Sequence, residues 1–369
     1  MGTTLCVGFE SARRFWRSVG REVARANPPA PDCAPLLVRL LFDRGEGVDL
    51  GPVPGRSLVT QVPRDFSGAA VARFVGGHLE PGELVDVCVS QQAGRHVAAH
   101  ARVHLMTGSY PTGSFCRVDD EVLVSSPELT FLQVARSADE DLLVAYGCEL
   151  CGYYARDDMG AGFVNCAPLT SRKRIGAFLD RLDARRIACG DGPVPGIARA
   201  RRALRRVCDG AASPEESIVW IVLMSPRRRG GFALPEGRMN VCVRLSRQTA
   251  ELFGIDLFVC DISWDDGRTV LEYQGSQHKL RARHTFDLRK GNVLAADERT
   301  LIKLDRAMLG RQDFMEEVAK SLSNALALCW HAPDARLRTL QARLRNKLLV
   351  DLEGRGGPSR QALFSTSPL

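Results

Sequence analysis

The sequence predicts a two-part α/β protein whose C-terminal part runs helix, three strands, helix, strand, helix. Three observations carry this expectation. Residues 257–275 read LFVCDISWDDGRTVLEYQG, two β-type runs around Asp266-Gly267, the dipeptide preferred in a two-residue type I′ hairpin loop. A helix start at Ser213-Pro214 and a short strand, Asn240 to Leu245, precede the hairpin. A helical stretch, a β-branched run from Thr300 to Leu304 and an amphipathic helix near Gln312 to Leu328 follow it. Third, short β-type runs alternate with Gly and Pro breaks from Leu36 to Val124, and helical patterns then run to Val207.

In chain order, Leu5 to Ala24 reads as a strand and then an amphipathic helix capped near Ser11, and ANPPAPDCAP is a proline-rich connector. LVDVCVS, RVHLMTG and EVLVSS are strand candidates, the last closing a hairpin at Asp119-Asp120. Ser126-Pro127-Glu128 starts a helix, with Ser126 as cap and Pro127 at the first helical position. The expected organisation is a mixed α/β region over 1–125, a helical connector over 126–210, the αβββαβα domain over 211–353 and a disordered tail over 354–369.

An apolar fraction of 45% and a charged fraction of 25% are those of an ordinary globular protein. Net charge is +7, and only six of the fifty basic residues are lysine. Guanidinium forks onto phosphate oxygens, so the arginine excess suits a nucleic-acid partner, although coding-sequence base composition explains it equally. The start of the chain has no signal-peptide pattern, and Ile218 to Met224, an apolar run, is far too short to span a bilayer. Twelve scattered cysteines read as reduced thiols, so the expectation is a cytoplasmic protein with no membrane association.

The hairpin generates the candidate site. With Asp266-Gly267 as its loop, Ser263 faces Val270 and Asp261 lies opposite Glu272, with Cβ atoms about 5 Å apart on one face. Two carboxylates at that separation repel by roughly 3 kcal/mol at an effective dielectric near 20. Such a pair persists when a cation, usually a metal, sits between its members or when they share a proton. Gln274, two residues beyond Glu272 on the same face, offers a further oxygen. The plainer reading is a solvated acidic face partly neutralised by Arg268.

At this point the chain resembles the PD-(D/E)XK nuclease superfamily, in the branch of small domains similar to the very short patch repair endonuclease. Those domains show a helix with Glu, an Asn before a strand, an Asp ending the next strand, an E-hydrophobic-D-G run with a downstream His, and a helix patterned D-x-x-R. The matching positions are Glu216, Asn240, Asp261, Glu272, Gln274, Gly275, His278 and Asp287. Gln274 departs from the pattern, since the branch has Asp there and the wider superfamily Lys. The Arg after Asp287 stands one residue early, at Arg289. The resemblance implies a restriction-endonuclease-like domain and divalent-metal-dependent cleavage of DNA, with Mg²⁺ or Mn²⁺ on Asp261, Glu272 and Gln274. Glu216 becomes an outer ligand, and His278 a proton donor or acceptor or a phosphate contact. Arg281, Arg283, Arg289 and Lys290 would hold the nucleic-acid backbone. A weaker resemblance, over roughly Val85 to Ser217, is to abortive-infection, type IV antitoxin-like proteins. It implies a setting in phage defence, and as the competing class an inactive nuclease-fold regulator or interaction protein. A protein partner or homodimer is left open.

Other patterns weigh less. His96, His100 and His104 fall on one face of a helix or of a strand, without a carboxylate nearby in sequence to complete a zinc site. Cys148 and Cys151 form a single CxxC, more simply read as small thiols packed in a core. Gly190-Asp191-Gly192 is faintly like a phosphate loop. Arg199 to Arg206 (RARRALRR), with Arg227 to Arg229, is either a phosphate-tracking face or a solvated one.

Overall fold

The computed structural model describes residues 5–26, 54–78, 84–94, 100–157, 162–275 and 290–353. It is mixed α/β and divides into two compact units between Val207 and Cys208.

The first unit is built on a six-stranded sheet. Its strands are β1 (Leu5–Val7), β2 (Gly55–Arg56), β3 (Val85–Val89), β4 (Ala101–Leu105), β5 (Phe115–Arg117) and β6 (Val122–Ser125), in the order β2-β5-β6-β1-β3-β4. β1 is central, parallel to β6 and antiparallel to β3. The chain leaves β1 through Gly8 into helix α1 (Phe9–Ala26) by a sharp turn in which Phe9 takes φ 53°. A Cβ at Gly8 would stand 2.5 Å from Cys88 Sγ, so only glycine fits there. The helix therefore starts ahead of Ser11. Instead of capping it, Ser11 Oγ accepts the Asp86 backbone N–H at 2.8 Å. Helix α2 (Gly68–His78) supplies Val71 and Phe74 to the same core as Phe15, Trp16, Val85 and Val87. Burying each large apolar side chain contributes roughly 1.5–3 kcal/mol.

Helices α3 (Pro127–Val134), α4 (Glu140–Leu150), α5 (Arg172–Ala188) and α6 (Ile197–Leu204), with a small hairpin of β7 (Tyr154–Arg156) and β8 (Phe163–Asn165), complete this unit. Ser126 caps α3, accepting from the Leu129 N–H, with Pro127 first in the helix. The helices expected as a connector belong, up to Val207, to the unit of the sheet. The reason is burial: every residue of α3 is buried, and the Trp16 indole N–H donates to the Ser125 carbonyl at 2.8 Å. Arg17 Nη2 of α1 also pairs with Glu149 Oε2 of α4 at 2.6 Å, both side chains being almost fully buried.

The second unit opens with α7 (Pro214–Met224). Then come β9 (Arg238–Arg244), a short helix α8 (Arg247–Phe253), β10 (Leu257–Trp264), β11 (Thr269–Gln274), a helix α9 over 290–296, and β12 (Thr300–Asp305). Helices α10 (Arg306–Gly310), α11 (Gln312–Ala325) and α12 (Ala335–Leu352) close it. The sheet order is β12-β11-β10-β9, antiparallel except for the parallel pair of β11 and β12. Val243, Phe258, Cys260 and Val270 of the sheet pack with Val293 and Leu294 of α9. Neither α8 nor α12 was expected from sequence. The 354–369 tail lies outside the described residues.

The buried Arg17–Glu149 pair sets a stability test. Glu149→Leu removes the carboxylate of a buried ion pair and should cost about 3–5 kcal/mol. Urea unfolding should show this loss, and the double variant Arg17→Met, Glu149→Leu should recover most of it.

Candidate functional site

The candidate site sits on the β10–β11 hairpin of the second unit. Asp266 (φ 52°, ψ 33°) and Gly267 (φ 87°) both take left-handed conformations, and the Arg268 N–H donates to the Asp265 carbonyl at 3.1 Å, as a type I′ turn requires. A Cβ on Gly267 would come within 2.5 Å of Val243 Cγ1. Asp265 adds a third left-handed residue (φ 48°), and the ladder closes at Trp264 and Thr269, so four residues connect the strands rather than two. The register is the expected one: Ser263 faces Val270 and Ile262 faces Leu271, which brings Asp261 to the rung of Glu272.

At that rung the backbone ladder gives way to side chains. Asp261 Oδ2 accepts the Tyr273 backbone N–H at 2.7 Å, and Glu272 Oε1 is 3.3 Å from the Asp261 N–H that it accepts. The carboxylates thus replace carbonyls as acceptors between the strands. The third member is Lys290, on α9. Its Nζ lies 2.7 Å from Glu272 Oε1, donates to the Val259 carbonyl at 2.6 Å and sits 5.9 Å from the centre of the Phe258 ring. Lys290 is 7% exposed, so it faces the carboxylates and is not on a surface where it could hold a nucleic-acid backbone. The pattern D-x-x-R contained the signal: Lys290 is the third residue after Asp287, where that pattern places its cation. Lys303, which sequence reasoning missed, stands beside Glu272 in the parallel register of β11 and β12. Its Nζ is 3.8 Å from the position a Cβ on Gly291 would take.

Burial, and then the neighbouring Asp261, push the Glu272 carboxyl up to about 7, against the opposing pull of Lys290. Glu272 in turn raises Lys290 above the ordinary lysine value despite burial. Glu272 therefore changes charge near neutral pH, while Lys290 keeps its proton.

Glu216 lies on α7, where it is buried and engaged. Its Oε1 accepts from Ser213 Oγ at 3.1 Å, and its Oε2 accepts from the Ala212 N–H at 2.9 Å and from Asn240 Nδ2 at 2.6 Å. Ser213 Oγ accepts the Glu216 N–H in return, forming a reciprocal cap at the helix start. Asn240, in a left-handed conformation at φ 49°, occupies the β9 position across from Asp261 and also donates to the Gly210 carbonyl at 2.8 Å. Glu216 is thus a strut between α7 and β9. Gln274 is half-buried at the end of β11 and pairs with Asp305 in the ladder. His278, Arg281, Arg283, Asp287 and Arg289 lie outside the described residues. Among the described residues, no cluster of three or more acidic, His or Cys side chains is placed to hold a metal ion.

The other patterns resolve differently. His100 is in a turn (φ 66°), whereas His104 lies on β4 with Nε2 2.7 Å from Asp86 Oδ1; His96 lies outside the described residues. Cys148 and Cys151 are both buried. In the basic run, Arg201 pairs with Asp180 and Asp183, Arg202 with Glu140, and Arg206 with Asp141. No helix of the described residues is long and apolar enough to cross a membrane.

The raised Glu272 sets a pH window. Its carboxyl is protonated in the folded chain up to about 7, whereas in the unfolded chain it ionises near 4.5. Its contribution is fully present below 4.5 and is lost as pH rises through 7. Glu272→Gln should therefore gain stability on the wild type between those values and keep a constant difference above them. Urea unfolding at a series of pH values checks this; parallel curves for the two proteins would show that Glu272 does not titrate there. The chain matches no protein-family model, and no curated protein or solved structure matches it either.

Proposed function

We propose that the second unit is a divalent-metal-dependent phosphodiesterase that cuts DNA, built as a restriction-endonuclease-like domain. The observation that carries this reading is the arrangement of Asp261 and Glu272 on neighbouring strands with Lys290 Nζ 2.7 Å from Glu272. The strand and helix order, with β12 parallel to β11 after α9, supports the αβββαβα plan. Mg²⁺ is commonly held by one or two carboxylates with water and substrate phosphate completing its shell, and Asp261, Glu272 and the neutral amide oxygen of Gln274 suit that sparse mode. A bound ion would polarise the scissile phosphate and lower the pKa of an attacking water.

The chain's own groups do the rest. Lys290 supplies the positive charge that Gln274 lacks, delivered from α9 instead of from the strand. Lys303 adds a second cation beside Glu272. The Glu216–Asn240 strut holds β9 against α7 and keeps the Asp261 backbone in place. His278 serves as proton donor or acceptor, and Arg281, Arg283 and Arg289 hold the DNA backbone. With only two acidic ligands and a neutral amide, binding is weak and favours Mn²⁺, which accepts nitrogen and neutral oxygen more readily than Mg²⁺ does. The weaker antitoxin-like resemblance of the first unit favours a setting in phage defence.

A second reading rests on the same atoms. Both carboxylates already accept backbone N–H groups, and Glu272 is paired with Lys290, so the acidic pair is satisfied without an ion. The chain would then be a nuclease-fold regulator that has lost its chemistry.

Supercoiled plasmid and Mn²⁺ discriminate the two. The enzyme reading expects slow nicking, abolished by Asp261→Asn and reduced about 100-fold or more by Lys290→Met. Absence of cleavage by the wild type and by Gln274→Asp, on single- and double-stranded DNA, would leave the regulator reading standing. Independently, millimolar Mn²⁺ should raise the melting temperature of the wild type by mass action and leave Asp261→Asn unmoved.

A further inference from the structure

The first unit contains a cavity of about 110 Å³ between the start of α1, the end of β4, helix α3 and the loop before α6. Phe9, Met106, Tyr110, Gln133, Arg136 and Arg186 are on its wall. Among the described residues, its lining includes two guanidiniums and no carboxylate. Arg186 is already engaged: Nη1 donates to the Thr107 carbonyl at 2.7 Å, Nε donates to the Gly192 carbonyl at 2.9 Å, and Asp191 lies 3.5 Å away. Arg136 is exposed and makes no ion pair among the described residues. Its guanidinium lies 5.2 Å from the centre of the Phe9 ring, which is itself stacked on His104 with centroids 3.8 Å apart.

A buried amide adds to the excess of donors. Gln133 is 3% exposed, and its Oε1 accepts the Phe9 backbone N–H at 2.9 Å. Its NH₂ group has only sulfur acceptors among the described residues, Met106 Sδ at 3.1 Å and Cys88 Sγ at 3.8 Å. Thioether and thiol sulfurs are weak acceptors, so an oxygen in the cavity would be a better partner. Size limits the occupant. A cavity of about 150 Å³ accommodates benzene, so the part of a ligand held inside this one is of similar or smaller size.

We infer that this cavity binds a small organic monoanion: a carboxylate on a compact aromatic or branched aliphatic body. The apolar body lies among Phe9, Met106 and Tyr110, and the carboxylate meets the planar fork of Arg136, which suits two-point recognition of that group. This inference is independent of the phosphodiesterase reading, since all its residues belong to the first unit.

Calorimetric titration of the full chain with sodium benzoate and sodium isobutyrate, at fixed ionic strength, tests it. Benzamide and isobutyramide serve as neutral counterparts. At least one acid should bind saturably, and its amide should bind about tenfold or more weakly. Arg136→Met should weaken the acid by a similar factor, and because Arg136 is exposed this variant should fold. Val194→Phe, which fills the cavity from its half-exposed wall, should remove binding while retaining a cooperative melting transition. The inference is overturned if neither acid binds, if the amides bind as well as the acids, or if Arg136→Met leaves acid binding unchanged.

Discussion

Two carboxylates on adjacent strands of a small sheet are the constraint around which the second unit is arranged. Asp261 and Glu272 would repel by roughly 3 kcal/mol if ionised at about 5 Å in a medium of effective dielectric near 20. The fold offsets this in three ways. Each carboxylate accepts a backbone N–H from between the strands, Lys290 sits on Glu272, and Glu272 keeps its proton up to about 7. The ladder beyond Ile262 and Leu271 is given over to these side chains, so the local backbone geometry depends on their charge state.

The surroundings keep that rung in place. The type I′ turn sets the register, and a shift by one residue would send Asp261 and Glu272 to the wrong face. Opposite Asp261, Asn240 takes a left-handed conformation and is held by Glu216 and the Gly210 carbonyl. Glu216 is held in turn by Ala212 and Ser213, just ahead of its own helix. A substitution at Glu216 therefore acts on Asp261 through β9, without contact between the two.

Much of the chain's arginine is committed internally. Arg17 and Arg56 pair with Glu149 and Glu128, and the arginines of α6 and its C-terminal edge pair with Asp180, Asp183, Glu140 and Asp141. A net charge of +7 thus says little about a phosphate-binding face. The basic run on α6 neutralises neighbouring helices instead. A cation left without a carboxylate, such as Arg136, carries more information than the charge total.

The hairpin was legible from Asp266-Gly267 and two β-branched runs because its signals are local: turn chemistry and a two-residue period. The same holds for the caps at Ser126 and Ser213, where the decisive hydrogen bond spans three residues. The placement of Lys290 was not legible as a distance. Eighteen positions separate it in sequence from Glu272, and only the packing of α9 on the sheet, through Val293 and Leu294, brings its Nζ to the carboxylate. Likewise His104 finds Asp86 on a neighbouring strand, and Ser11 turns from an expected cap into a partner of Asp86, because parallel and antiparallel pairing join residues that sequence spacing cannot relate. The sequence by itself determined the mixed α/β class, the turn and the rung at which two acids meet. Which cation answers them was decided by tertiary structure, since charge pairing depends on distance in space and that distance is set by helix packing.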